Sequence, residues 1–206
     1  SCNAPSRMLV ERPVYDRAVE IAAQIAGSIK VGSAHEAGKH IGPVVNKRQW
    51  DQIQGYIQKG IDEGARLVAG GPGLPEGFNR GFYVKPTVFA DVKPGMTIER
   101  EEIFGPVMCM IPFDSEAEAV RIANDTPYGL GAGVWSRDGS RAYRMGRAIK
   151  AGRVWTNCYH AYPAHAAFGG YKESGIGREN HKMMLDHYQQ TKNLLVSYST
   201  KAQGFF

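Results

Sequence analysis

The stretch 107–125, VMCMIPFDSEAEAVRIAND, decides how the rest of the chain is read. Its first seven residues are almost continuously apolar, without alternation. That is the pattern of a strand covered on both faces, as in a parallel sheet with helices above and below. Ser115 and Glu118 then form S-x-x-E, the spacing in which a hydroxyl and a carboxylate satisfy the free N–H groups of a helix start. A buried strand leading directly into a capped helix is the building unit of an α/β fold.

Working outward, the alternation recurs. LGAGVWS, 130–136, is a second short apolar strand, and Pro127 ends the helix before it. Asp138 suits the cap of a helix running to about Lys150, with Gly152 as its stop, and RVWTN, 153–157, is a strand again. On the amino-terminal side, Met8–Val10 is a short buried strand. From Tyr15 to Ile29, residues Ala18, Ala22, Ile25 and Ile29 recur at helical spacing. The polar loop SAHEAGKHIGPVVN follows. A second helix is predicted from about Lys47 to Glu63, with Trp50, Ile53, Ile57 and Ile61 inward, Asn46 as N-cap and Gly64 as stop. ARLVAGG is a strand entering a turn, and FYVKPTVFADV is extended. Pro86 has no N–H to donate, which implies an edge position or a break. The expected architecture is α/β, with a largely parallel sheet flanked by helices. No repeat, low-complexity tract or interdomain linker is visible.

The 206 residues suffice for one large domain or two small ones, and a 43% apolar content supports a full core. The net charge of +5 is spread among acidic residues, with no run of like charges and no basic stripe, so a nucleic-acid partner is not expected. No stretch is long and apolar enough for a membrane span. The three cysteines, Cys2, Cys109 and Cys158, are odd in number and show no C-x-x-C spacing, which fits a reducing, cytoplasmic compartment better than a disulfide framework.

Sites in parallel α/β sheets lie on loops at the carboxyl ends of the strands. Two loops mix aromatics, glycines and charges: EREEIFGPV before the strand at Val107, and NCYHAYPAHAAFGGYKESGIG after the strand at Arg153. The second is long, and long ordered loops are often functional. A well-packed structural loop is the plain alternative for each. Cys158, His160 and His165 have the spacing C-x-H-x₄-H, which matches no established zinc pattern, so no metal is expected. The glycines of GLGAGV and SGIGRE do not complete a dinucleotide fingerprint. Cys2 by itself is weak evidence, because a lone cysteine is more often a small hydrophobe than a nucleophile.

Three stretches in order change that reading. SCNAPSR, 1–7, resembles the catalytic-cysteine segment of the aldehyde dehydrogenase family. EEIFGPV, 101–107, and FGGYKESGIGRE, 168–179, resemble two further signatures of the same family. The resemblance covers essentially the whole chain. From about Tyr128 onward it is closest to bacterial enzymes that oxidise acetaldehyde and similar short aldehydes.

The resemblance implies an NAD- or NADP-dependent oxidation of an aldehyde to an acid. Cys2 would be the nucleophile, forming a thiohemiacetal and then a thioester. Glu102 would hold the hydroxyls of the nicotinamide ribose, since one carboxylate can accept from both. Phe104 would pack beside that ribose, and Gln49 would also reach the cofactor. Phe168 would wall the aldehyde channel, with Asn157 and Tyr159 shaping it. The family's amino-terminal cofactor-binding domain, with its general-base glutamate and oxyanion asparagine, has no counterpart here. Residues 1–190 therefore read as the catalytic domain, with that missing domain as a partner. Residues 191–206 read as an oligomerisation strand and tail, because TKNLLVSYS resembles the family strand that pairs with a neighbouring subunit. A homo-oligomer is thus expected. The alternative is that the isolated chain is an inactive folding and oligomerisation module.

Overall fold

The computed structural model describes residues 1–38 and 40–204. Six strands and five α-helices follow one another: β1 Arg7–Glu11, α1 Arg12–Ser28, α2 Lys47–Asp62, β2 Arg66–Ala69, β3 Thr87–Ala90, α3 Thr97–Arg100, β4 Val107–Phe113, α4 Glu116–Asn124, β5 Gly131–Val134, α5 Gly139–Ala148 and β6 Arg153–Thr156. Two short 3₁₀ segments, Lys172–Ser174 and Lys182–His187, follow β6.

β4 is the interior strand expected from its composition. The four-stranded sheet has the order β1-β4-β3-β2, with β4 parallel to both β1 and β3. Its side chains divide between two cores, as a strand's period of two requires. Val107, Cys109 and Ile111 join Ile53, Ile57, Phe89 and Ile122 on one face. Met110 joins Tyr15, Val19, Ala22, Val88 and Ala90 under α1 on the other.

The sheet is less uniform than the sequence implies. β2 runs antiparallel to β3, with an irregular register between Leu67 and Ala69. β5 and β6 form a separate parallel pair. Pro86 marks a break before β3 rather than an edge: β3 lies inside the sheet, and the ladder starts when the Thr87 N–H donates to Pro106 O at 2.8 Å.

The caps stand where the sequence puts them. Asn46 Oδ1 accepts from the Gln49 N–H at 2.9 Å, and Asp138 Oδ1 accepts from Ser140 and Arg141 N–H at 2.9 and 3.1 Å. Ser115 Oγ accepts from Glu118 N–H at 3.2 Å. Glu118 reaches one residue further back than a standard box and takes the Asp114 N–H at 2.8 Å.

The α1 stripe differs from the expectation. Tyr15, Val19, Ala22 and Ala26 face inward, while Ile25 and Ile29 are exposed. Small Ala22 and Ala26 let the helix lie close on the sheet. Tyr15 anchors it: its hydroxyl donates to Met110 O at 3.1 Å and accepts from Asp91 N–H at 2.6 Å. The helix α5 also stops at Ala148, two residues short of the expected end.

α4 and α5 bind the two sheets together. Glu116 accepts from Arg141 and Arg144 at 2.7 and 3.1 Å, and the Asn124 amide bridges Ala148 O and Lys150 N–H at 2.9 and 2.7 Å. The outer edges of β1 and β5 face a common cleft. The tail predicted as a strand forms no ladder among the described residues, and Leu194, Leu195 and Tyr198 are exposed. Phe205 and Phe206 lie outside the described residues, as does Lys39 in the loop before α2. Among the described residues, no helix is long and apolar enough to cross a membrane.

Candidate active site

A cavity of about 1480 Å³ opens between β1 and β5, and Cys2, Glu102, Tyr159 and Phe168 all line it. Each arrives by a different local device.

Cys2 is exposed on a turn closed by Ala4 N–H donating to Ser1 O at 3.0 Å. Its neighbour Asn3 is buried. The Asn3 side chain donates to the Tyr162 hydroxyl, and its carbonyl accepts from the Tyr159 hydroxyl. Asn3 thus pins the cysteine turn onto the aromatic loop after β6. Burial beside Tyr162 and Cys2 raises the Tyr159 phenol above its usual value, so it remains a donor.

Glu102 follows the single turn of α3. Glu101 is engaged by the Tyr56 hydroxyl at 2.7 Å, and Arg100 is paired with Asp125 at 3.2 Å. Among the described residues, Glu102 is left exposed with no hydrogen-bond partner. Phe104, 51% exposed, sits at φ +51°. A bulky residue in the left-handed region is uncommon, and such strain concentrates at functional sites. Gln49 holds this turn from below. Its amide donates to Phe104 O at 2.9 Å and accepts from Val45 N–H at 3.0 Å. Both ends of Gln49 are thereby occupied, so it supports the loop rather than facing the cavity.

The loop after β6 is organised by Arg153, which sequence reasoning missed. Its guanidinium donates to Ala161, Ala166 and Ala167 carbonyls at 2.9–3.0 Å. It also lies 5.3 Å from the Tyr162 ring and 5.8 Å from that of Phe168. Phe168 is fixed by a two-way backbone bridge to Glu179 and by edge-on contact with Tyr162, 5.1 Å between centroids. Only a signal for long-range contacts would have exposed Arg153, since strand composition says nothing about a terminal guanidinium. Asn157 departs from the expectation. At φ +52°, its amide grips Ser136 N–H and O, both at 2.9 Å, and it lies outside the cavity lining. It shapes the loop's exit from β6, not the channel.

The glycines of this loop are there for close approach. A Cβ on Gly152 would stand 1.6 Å from Gly169 O, and one on Gly169 would stand 2.2 Å from Gly177 O. The backbone of 168–178 is laid directly on the start of β6 and on itself.

The cysteines separate by environment. Cys109, 1% exposed, has its thiol pushed up to about 12 by burial, with Glu99 adding to the effect. Its thiolate is absent at neutral pH, and reactivity follows thiolate and access. Iodoacetamide is expected to label Cys2 well before Cys109, and raising the pH to about 9 should not change that order. Peptide mapping that finds Cys109 labelled first would overturn the placement of β4.

The fold and the cavity define an α/β domain in which an exposed cysteine and an exposed carboxylate line one cavity. The aldehyde dehydrogenase family model matches residues 1–194, and the chain belongs to that family. It is 59% identical, over its full length, to an aldehyde dehydrogenase of Deinococcus radiodurans and to acetaldehyde dehydrogenase 2 of Cupriavidus necator, covering 40% and 41% of them. The chain thus spans about two-fifths of the length of these relatives. Among solved structures it resembles an aldehyde dehydrogenase from Bartonella henselae, with TM-score 0.90 and 53% identity over 93% of this chain and 40% of that one. It also resembles the Mycobacterium tuberculosis aldehyde dehydrogenase complexed with NAD+, with TM-score 0.91 and 42% identity over 98% of this chain and 41% of that one.

Proposed function

We propose that this chain is the catalytic portion of an NAD(P)-dependent aldehyde dehydrogenase, acting on an aldehyde with Cys2 as nucleophile. The observation that carries the reading is the shared cavity. Residues far apart in sequence, Cys2, Glu102 and Phe168, line one space.

The residues fit the cofactor. Glu102 is a carboxylate with free acceptor capacity, suited to two hydroxyls of one ribose, and the exposed Phe104 ring lies two residues on. A bound nicotinamide dinucleotide would supply the hydride acceptor. Cys2 adds its sulfur to the aldehyde carbon, giving a thiohemiacetal. A thiolate is a strong nucleophile even at modest population. Loss of hydride from that carbon leaves a thioester on Cys2, and water releases the acid and restores the thiol. The Cys2 backbone N–H would help to steady the oxyanion. Phe168 and Tyr159 would provide an aromatic wall for the apolar part of the substrate, with Tyr162 packed edge-on behind Phe168. In a protein of the relatives' length, the general base and most cofactor contacts would lie outside the two-fifths matched here, so this span by itself is not expected to turn over.

The relatives bear names of different reach, from acetaldehyde dehydrogenase 2 to a long-chain-aldehyde dehydrogenase of an Acinetobacter. The aldehyde length is therefore left to assay. We also read the exposed residues Leu194, Val196 and Tyr198 as one face of a strand that pairs with a second copy, and the three free cysteines as fitting the cytoplasm.

The test is reduction of NAD+ or NADP+ by a protein of the relatives' length with aldehydes of increasing chain length. Glu102→Gln should lower kcat about tenfold, since a neutral amide accepts more weakly than a carboxylate. A deuterated aldehyde should then show a larger isotope effect, because hydride transfer has become slower than thioester hydrolysis. Absence of any aldehyde-dependent reduction in the unsubstituted protein would overturn the reading.

A further inference from the structure

Arg7 and Glu99 form a buried ion pair that neither the cysteine nor the ribose carboxylate requires for its own chemistry. Arg7 Nη1 donates to Glu99 Oε1 at 2.9 Å, and the Glu99 side chain has no solvent exposure. The other Glu99 oxygen accepts from Gly95 N–H at 3.2 Å, bracing the start of α3. The same guanidinium donates to Ile122 O and Ala123 O, both at 3.0 Å, at the carboxyl end of α4. One side chain therefore joins three elements.

Its position in the chain gives the pair its meaning. Arg7 opens β1, the strand that leads directly from the Cys2 turn. Glu99 lies in α3, a single turn that leads directly to Glu102. Between them these segments carry the two groups that must meet across the cavity, and no strand ladder joins β1 to α3. A buried ion pair is weak evidence of stabilisation, because desolvation offsets much of its attraction. What such a pair does supply is fixed geometry, and the planar guanidinium sets it more tightly than an ammonium could.

We propose that Arg7 and Glu99 are positioning residues that set the separation of the Cys2 sulfur from the Glu102 carboxylate. The inference rests on the function proposed above. Without the pair, α3 keeps its contacts to Glu63, Tyr56 and Asp125 but loses its side-chain link to β1, and Glu102 shifts relative to the cysteine while both retain their chemistry.

Two variants test this. In Glu99→Gln, one of the two oxygens that accept from Arg7 and Gly95 becomes an NH2 donor, so only one of these contacts keeps its place. In Arg7→Lys, one ammonium cannot span Glu99 and the α4 carbonyls. In this chain, amide exchange at Glu99, Arg100 and Glu101, whose N–H groups donate to Met96 O and Thr97 O, should rise about tenfold, with the β3 and β4 amides unchanged. In a protein of the relatives' length, NADH titrated by fluorescence should bind about tenfold more weakly, and a primary isotope effect with deuterated aldehyde should grow. Cys2 alkylation should keep its rate. The outcome that overturns the proposal is a fall in melting temperature with NADH affinity and isotope effect unmoved, which is the mark of a purely structural pair. A protein that binds no NADH before any substitution would overturn the proposed function and this inference together, so the two failures are told apart.

Discussion

Replacing Cys2 with alanine in a protein of the relatives' length is expected to lower aldehyde oxidation by about 10⁴-fold or more, with NADH binding unchanged. Loss of a covalent nucleophile removes the intermediate that divides the reaction, and effects of this size are ordinary for such residues. Neither of this chain's other two thiols can replace it. Cys109 is enclosed between the core and Ile98 O, to which its thiol donates at 3.3 Å, and it is protonated at any working pH. Cys158 is exposed, but it is not among the residues that line the cavity. Cys158→Ala should therefore retain near-normal turnover and serves as the control. Cys2→Ser should sit close to Cys2→Ala, because a hydroxyl at ordinary pKa is a far weaker nucleophile than a thiolate. Turnover that survives in Cys2→Ala and disappears in Cys158→Ala would reassign the nucleophile.

The second large effect is structural. Gly152→Ala, the addition of one methyl group, is expected to cost about 4 kcal/mol or more, in the range reserved for severe backbone or core conflicts. The obstruction is the carbonyl oxygen of Gly169, 1.6 Å from where the methyl would stand, with Gly169 and Gly170 backbone carbons behind it. No side chain can rotate away, so β6 or the 168–178 segment must leave its place. Gly152 N–H and Tyr171 N–H both donate to Gly129 O, at 3.0 and 2.8 Å, so displacement also breaks this shared anchor. Urea unfolding should show a midpoint lowered by about 2 M, taking a slope of about 2 kcal/mol per molar. Gly139→Ala is the matching control: nothing lies near its added methyl, at the start of α5, and the change should be neutral or slightly stabilising. A Gly152→Ala midpoint indistinguishable from that of the control would show that Phe168 is not held by this contact.

What could be read without coordinates was whatever is encoded locally. The β4 strand, the Ser115, Asn46 and Asp138 caps, and the inward Ile53 and Ile57 are all decided by a few adjacent residues, and they stand as expected. The stripe of α1 was misread because Ile25 and Ile29 outrank Tyr15 and Ala26 in hydrophobicity. Which side meets the sheet is settled by fit and by the Tyr15 hydroxyl's two backbone partners, which periodicity does not record. Glu102 and Phe168 could be singled out through resemblance, as could Cys2. Asn3, Arg153 and the Arg7–Glu99 pair could not, because each acts on residues up to 159 positions away and leaves no local pattern. The same limit explains Asn157: its loop was legible, but its grip on Ser136 was not. The division into two sheets was invisible for a related reason, since strand order is not written in any one strand.

The facing edges of β1 and β5 bear on how the chain behaves by itself. Both strands spend one row of backbone groups on an inner neighbour and turn the other row toward the cleft, and Gly131 and Gly133 of β5 are exposed there. Because α4 and α5 brace the two sheets, the edges do not simply close on each other. Unsatisfied rows of this kind recruit any extended segment within reach, including one from another molecule. In a concentrated preparation the cleft would act as a seeding surface, and its demand for a strand, more than any weakness of the core, would set the concentration at which the chain ceases to stay dispersed.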